Sequence, residues 1–171
     1  RALQTTLAVA NDTELDRVIG ETLEPFPGES GAHFLKDGLD AFAARLAGAD
    51  RASRSIDAQY YLFHDDVTGR LLAHRLLLAA NRGVKVRLLL DDIGVQGRDS
   101  DLLALDAHPE IDVRIFNPFA NRRFRLFEYL YRFGVVTRRM HNKSMIIDGV
   151  VAIAGGRNVG DEYYDAHEAS N

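Results

Sequence analysis

The stretch 141–158 reads His-Asn-Lys-Ser-Met-Ile-Ile-Asp-Gly-Val-Val-Ala-Ile-Ala-Gly-Gly-Arg-Asn. Two short apolar runs, 145–147 and 150–154, flank Asp148-Gly149. An Asp-Gly pair between such runs predicts a β-hairpin, because both residues tolerate the positive φ of a tight turn. Side chains alternate along a strand, so His141 and Lys143, two apart, are expected to share a face. An ammonium beside an imidazole suits an anion. The first holds negative charge; the second can attack phosphorus or move a proton. Asp148 has the opposite parity and falls at the turn, where its expected work is to accept hydrogen bonds from backbone N–H groups. Gly155 and Gly156 end the second strand and let a ligand approach the backbone. Asn158 offers amide N–H donors to a phosphate oxygen.

Upstream of the hairpin, strand and helix patterns alternate. Residues 55–63 read as a half-buried strand, 68–81 as a helix closed by Gly83, and 85–91 as a central strand. A second helix is expected over 99–107 and a third strand over 112–116. This alternation predicts an α/β fold with a mixed, mostly parallel sheet flanked by helices, which the hairpin completes. Ligands of such sheets sit beyond the carboxyl ends of the strands. Asp91-Asp92, followed by Gly94, Gly97 and Arg98-Asp99, lies at one such end. The pair could ligate metals, but turn and helix capping with an ion pair to Arg98 is the favoured reading. Tyr60 and Tyr61 point to opposite faces, one to the core and the other towards the cleft; Gln59 is ambiguous.

Before the first strand, residues 31–48 carry Phe34, Leu35, Leu39, Phe42 and Leu46 at helical spacing. Residues 1–30 read as a leader segment with one short helix around Leu15, Val18, Ile19 and Leu23, ended by Pro25, Pro27 and Gly28. Residues 117–139 differ from everything else. Arg122, Arg123, Arg125, Arg132, Arg138 and Arg139 face a single acid, Glu128, and aromatic residues are interleaved. Three readings stand: stacking of single-stranded nucleic acid, an interfacial lipid-contacting segment, or a helix packed on the sheet with solvated arginines.

Composition bounds the rest. At 171 residues and 46% hydrophobic, the chain suffices for one domain with a proper core. It has no cysteine, hence no disulfide framework and no thiolate zinc site. A net charge of −4 argues against a nucleic-acid partner, which usually meets a basic balance. No run reaches the roughly 18 apolar residues of a membrane span.

The skeleton His141-x-Lys143-x4-Asp148-x6-Gly155-Gly156-x-Asn158 resembles the HKD motif of the phospholipase D superfamily at every position. The resemblance extends from about residue 30 to 168, through Gly31-x3-Leu35-x2-Gly38-x2-Ala41-Phe42, Gln59-Tyr60-Tyr61, Asp91-Asp92-x4-Gly97-Arg98-Asp99 and the tail Gly155-Gly156-Arg157-Asn158-x-Gly160-Asp161-Glu162-Tyr163. It is similar to the N-terminal half of two-motif bacterial cardiolipin synthases of the third type, including the aromatic, arginine-bearing segment before the motif. The resemblance implies that residues 31–171 form one half of a bilobal phospholipase D-like fold. It also implies a phosphatidyltransferase that forms cardiolipin or related phospholipids through a phosphohistidine, without cofactor or metal. His141, Lys143 and Asp148 become the catalytic motif, and Asn158, Gly155 and Gly156 its substrate-binding end. Arg122, Arg123 and Arg125 become lipid contacts at a membrane surface, with a peripheral place on the bacterial inner membrane.

In that family two motifs meet, giving two histidines, two lysines and two asparagines. His33, His64, His74, His108 and His167 each lack a lysine two residues on, so this chain carries one motif. The second set is expected from further sequence of the same full-length protein, or from a twofold-related copy as in small homodimeric HKD nucleases. A silent half that only packs against a partner is the third reading. The family also orients its imidazole with a later acid. Glu168 is within range, but the partner is expected just past Asn171, and Asp161 and Glu162 are expected to be surface turn residues.

Overall fold

The computed structural model describes residues 12–119, 134 and 137–165. Its elements are α1 Glu14–Leu23, α2 Gly38–Arg51, β1 Ser55–Leu62, α3 Val67–Asn81, β2 Lys85–Gly94, α4 Asp99–Asp106, β3 Ile111–Phe116, β4 Lys143–Ile147 and β5 Val151–Ala154, then a 3-10 turn at Asp161–Tyr163. The strands form one five-stranded sheet in the order β3-β2-β1-β4-β5. β1, β2 and β3 run parallel, and the β4–β5 hairpin pairs antiparallel with β1. The expected mixed α/β architecture is therefore present.

Alternation sorts the strands. Ile56, Ala58 and Tyr60 of β1 and Val86, Leu88 and Leu90 of β2 are buried with Met145 and Ile147 of β4. α2, α3 and α4 cover that face and bring Phe42, Leu72, Leu76 and Leu102 to the same core. Each such side chain contributes roughly 1.5–3 kcal/mol by leaving water. Successive crossovers that step outward in one direction, β1 to β2 to β3, lay their helices on one side of a sheet. The opposite face carries Asp57 paired with Arg87, and Asp112 paired with Arg114.

Local chemistry sets the element ends. The helix expected from Gly31 begins instead at Gly38, because the Asp37 carboxylate accepts from Leu39 N–H at 2.8 Å and caps the first turn. The preceding strap is irregular and leaves Phe34 85 % exposed. The leader's helix forms at Glu14–Leu23 behind a capping box of Thr13 and Asp16. Arg54, at the entry to β1, reaches Asp12 and Asp16 and ties this helix to the sheet. β2 runs three residues past its expected end, to Gly94. Opposite it, β1 has an irregular register between Tyr60 and Leu62. A Cβ on Gly94 would stand 1.9 Å from the Tyr61 carbonyl oxygen, so this crossing needs glycine.

Candidate active site

The hairpin turns at Asp148 and Gly149, whose φ values of 54° and 75° are the left-handed pair that a tight two-residue turn demands. Lys143 opens β4 and pairs with Tyr60 of β1. His141 does not lie on the strand; it stands two residues before it, exposed. The two side chains nevertheless converge. The His141 ring packs against the Tyr61 ring, with centroids 5.1 Å apart. The Lys143 ammonium lies 5.4 Å from the centroid of the same Tyr61 ring. It donates to the His141 carbonyl at 2.8 Å.

Lys143 is only 6 % exposed, and burial pulls its pKa below the ordinary lysine value. Among the described residues no carboxylate comes within 4 Å of its ammonium. A buried cation without an acid partner is a costly arrangement unless an anion completes it. Such a site fits an anion such as a phosphoryl group.

Asn158 is 4 % exposed, and its Oδ1 accepts from Leu62 N–H at 3.1 Å. This bond sets the amide's orientation and leaves Nδ2 as the donor end. Past β5 the chain returns to the end of β1. Val159 N–H donates to Leu62, His64 N–H donates to Val159, and Phe63 bridges Val159 in parallel. Asn158 thus arrives at the strand end occupied by Tyr61, beside the strand partner of Lys143. Gly155 and Gly156 are exposed, neither has a positive φ, and an added Cβ would meet nothing at either position. Among the described residues no packing demand accounts for these two glycines.

Asp148 is wholly buried. Its carboxylate accepts from the backbone N–H groups of Ser53, Arg54 and Ser55 at 2.8–3.2 Å. It therefore organises the entry to β1, at the opposite end of β4 from Lys143, and does not face the imidazole. Asp161, expected at the surface, is half-buried instead. Asp161 accepts from Thr68 N–H at 2.8 Å, while Asp66, the α3 cap, accepts from Asp161 N–H at 2.8 Å. Burial alone would raise the Asp161 carboxyl; the Thr68 and Val67 donors outweigh it and hold it below the ordinary value. This exchange staples the tail after Asn158 to the start of α3.

The acidic pair at the end of β2 has a different role from the one expected. Neither residue pairs with Arg98, which donates to the Phe63 carbonyl and lies nearer Asp65 and Asp101. Asp91, fully buried, accepts from Arg139 at 3.2 Å and from Met140 N–H at 2.9 Å. Asp92 accepts from Phe119 N–H at 3.0 Å. These carboxylates hold the chain immediately before His141 and the start of the basic aromatic segment. No spacing rule announces this, since Asp91 and Met140 are 49 residues apart.

Arg122, Arg123, Arg125 and Glu168 lie outside the described residues. Among the described residues one group of metal-capable side chains converges, His64, Asp66 and Glu162, with ligand atoms within 4.8 Å of one another. Asp66 already serves as the α3 cap, and the group includes neither His141 nor Lys143. Among the described residues no helix is long and apolar enough to cross a membrane.

Residues 46–170 match the family model described as cardiolipin synthase, PLD-like domain. The chain is 53% identical over 142 residues to cardiolipin synthase C of Escherichia coli, covering 83% of this chain and 30% of that protein. It thus spans about a third of that relative's length. Among solved structures it superposes on NucT from Helicobacter pylori with a TM-score of 0.58 at 22% identity, covering 74% of this chain and 72% of the other. On Nuc from Salmonella typhimurium, a phospholipase D family member, the TM-score is 0.50 at 24% identity, covering 73% and 68%. At those identities the structures speak for the fold, and the sequence relatives carry the narrower assignment. The chain belongs to the cardiolipin synthase, PLD-like domain family.

Proposed function

We propose that this domain supplies one half of a phosphatidyl-transfer site, in which His141 attacks phosphorus while Lys143 and Asn158 hold the phosphoryl oxygens. The observation that carries this reading is the buried Lys143 ammonium, which lacks a carboxylate among the described residues and shares a wall with an exposed imidazole. The open space at Gly155 and Gly156 supports it, because it leaves close ligand approach as the reason for glycine there.

The steps balance with a second imidazole. A His141 ring nitrogen bonds to phosphorus as the P–O bond to the leaving alcohol breaks. The leaving oxygen takes a proton from the second imidazole. An incoming alcohol then gives its proton back to that imidazole, and its oxygen displaces the histidine nitrogen from phosphorus. The second imidazole, lysine and asparagine belong to a second motif, in the remainder of the full-length protein or in a twofold-related copy. The substrate class is a phospholipid, transfer yields cardiolipin or a related lipid, and the protein works as a peripheral enzyme on the bacterial inner membrane. The similarity to cardiolipin synthase C supports the transferase over a homodimeric nuclease.

The test is acid-quench trapping of a phosphoenzyme from labelled phosphatidylglycerol vesicles, using the full-length protein. Wild type should carry label on His141, and His141→Gln should carry none. Label that persists on another histidine in the variant would reverse the roles, and an unlabelled but active wild type would overturn the covalent scheme.

A further inference from the structure

We infer that Tyr61 is a positioning residue for this chemistry: its ring is the common wall that fixes both the His141 imidazole and the Lys143 ammonium. The inference rests on the phosphatidyl-transfer reading above.

Adjacent residues of a strand face opposite ways, and here they divide the work. Tyr60 is fully buried, and its hydroxyl accepts from Arg45 Nε at 3.0 Å. Tyr61 is half-buried and turned to the site. Its aim comes from the irregularity in β1 between Tyr60 and Leu62, a feature that re-directs a side chain. Gly94 permits that irregularity, since any Cβ there would strike the Tyr61 carbonyl.

His141 needs such a wall. It is exposed and lies outside the strand. Among the described residues its ring makes no hydrogen bond, and the Tyr61 ring is its aromatic contact. An imidazole that must attack phosphorus in line loses rate quickly when it is free to swing. Lys143 needs the wall for a different reason. Its ammonium is buried without an acid partner among the described residues, and the negative face of an aromatic ring favours the charged form. Among the described residues, the titratable and charged groups near this strand end include His141 with Arg139 and Asp91 just before it, Tyr60 and Tyr61 of β1, His64 just past β1, and Arg45 of α2 with Tyr164 after the 3-10 turn. Among the described residues it is the Tyr61 ring that faces the ammonium.

The test compares Tyr61→Phe, Tyr61→Leu and Tyr61→Met in the full-length protein. Activity is read with phosphatidylglycerol vesicles and, separately, with bis(p-nitrophenyl) phosphate, a soluble phosphodiester. Tyr61→Phe keeps the ring and should keep kcat and the pH profile. Tyr61→Leu and Tyr61→Met should lose about ten- to a hundredfold in kcat. Their alkaline limb of kcat/KM should move to lower pH, because the ammonium loses its π partner and sheds its proton sooner. Melting temperatures should stay close to wild type. Equal loss in Tyr61→Phe would assign the effect to the hydroxyl and overturn the inference. So would an unmoved alkaline limb, or unfolding of both aliphatic variants, which would make the ring a packing element. A wild type that cleaves neither diester would instead sink the transfer reading itself, so the two failures are distinct.

Discussion

Replacing Asp148 by alanine tests whether this motif aspartate builds the fold or does chemistry. The carboxylate is wholly buried and accepts from three backbone N–H groups, those of Ser53, Arg54 and Ser55. Alanine leaves those donors without their partner. A bond from a backbone donor to a charged acceptor is worth about 1.5–3 kcal/mol, and an orphaned buried donor costs about 1–3 kcal/mol. These figures do not add, and removing the carboxylate also removes its own desolvation cost. The φ of 54° at this position adds about 1–2 kcal/mol against any side chain that dislikes the left-handed region. The net expected loss is about 3–5 kcal/mol, or about 6–20 °C in Tm for a domain of this size. Asp148→Asn should cost less, about 1–2 kcal/mol, since the amide oxygen still accepts and asparagine tolerates positive φ. Urea unfolding followed by circular dichroism measures both variants, and turnover is measured at a temperature where each remains folded. The reasoning is refuted if Asp148→Ala unfolds like wild type yet has no activity, for then the carboxylate acts on substrate.

Lys143→Met should hold stability or raise it by roughly 1 kcal/mol, because it removes a buried charge, while turnover falls at least about a hundredfold. The pH dependence has a definite sign. The folded lysine releases its proton below 10.5 while the unfolded one keeps it, so wild-type stability rises with pH between the depressed folded value and 10.5. The methionine variant should lack that rise in urea titrations across the window, and an unchanged slope would contradict the buried-ammonium argument. Asn158→Asp keeps the acceptor for Leu62 N–H but loses the amide donors and adds negative charge. Inhibition by inorganic phosphate should weaken about tenfold or more while Tm falls, because the new charge sits at a buried position, and unweakened inhibition in the folded variant would remove Asn158 from the phosphate site. Gly94→Ala should cost about 1–3 kcal/mol and lower kcat together with stability, since it pushes on the backbone that aims Tyr61. A variant with intact kcat would separate the irregularity in β1 from the site.

The parts of this protein legible in its sequence are those whose cause is local. Asp148-Gly149 between apolar runs announces the hairpin, because two residues and their φ preferences decide a tight turn. The βαβ alternation follows from periodicity, which records which face each residue buries. The full skeleton His141-x-Lys143-x4-Asp148-x6-Gly155-Gly156-x-Asn158 points to an anion-handling pair, because six positions in one spacing rarely coincide by chance. Yet the same local reasoning put His141 on the strand, whereas the strand begins at Lys143 and the imidazole is held by contact instead. It also began α2 too early, by weighing apolar spacing over the capping aspartate at position 37.

What only the tertiary structure decided are the long-range bonds of buried carboxylates. Asp91 grips Met140, Asp148 gathers Ser53 to Ser55, and Asp66 with Asp161 staples the tail to α3, across separations of 49 to 95 residues. The sequence by itself determined the α/β pattern, the hairpin and the motif residues proposed here to react. It did not determine how those side chains are held. A backbone N–H is the same donor at every residue but proline, so composition and periodicity cannot say which one a distant carboxylate will find. The path of the folded chain selects it, and the same path brings the Tyr61 ring to the imidazole and the ammonium.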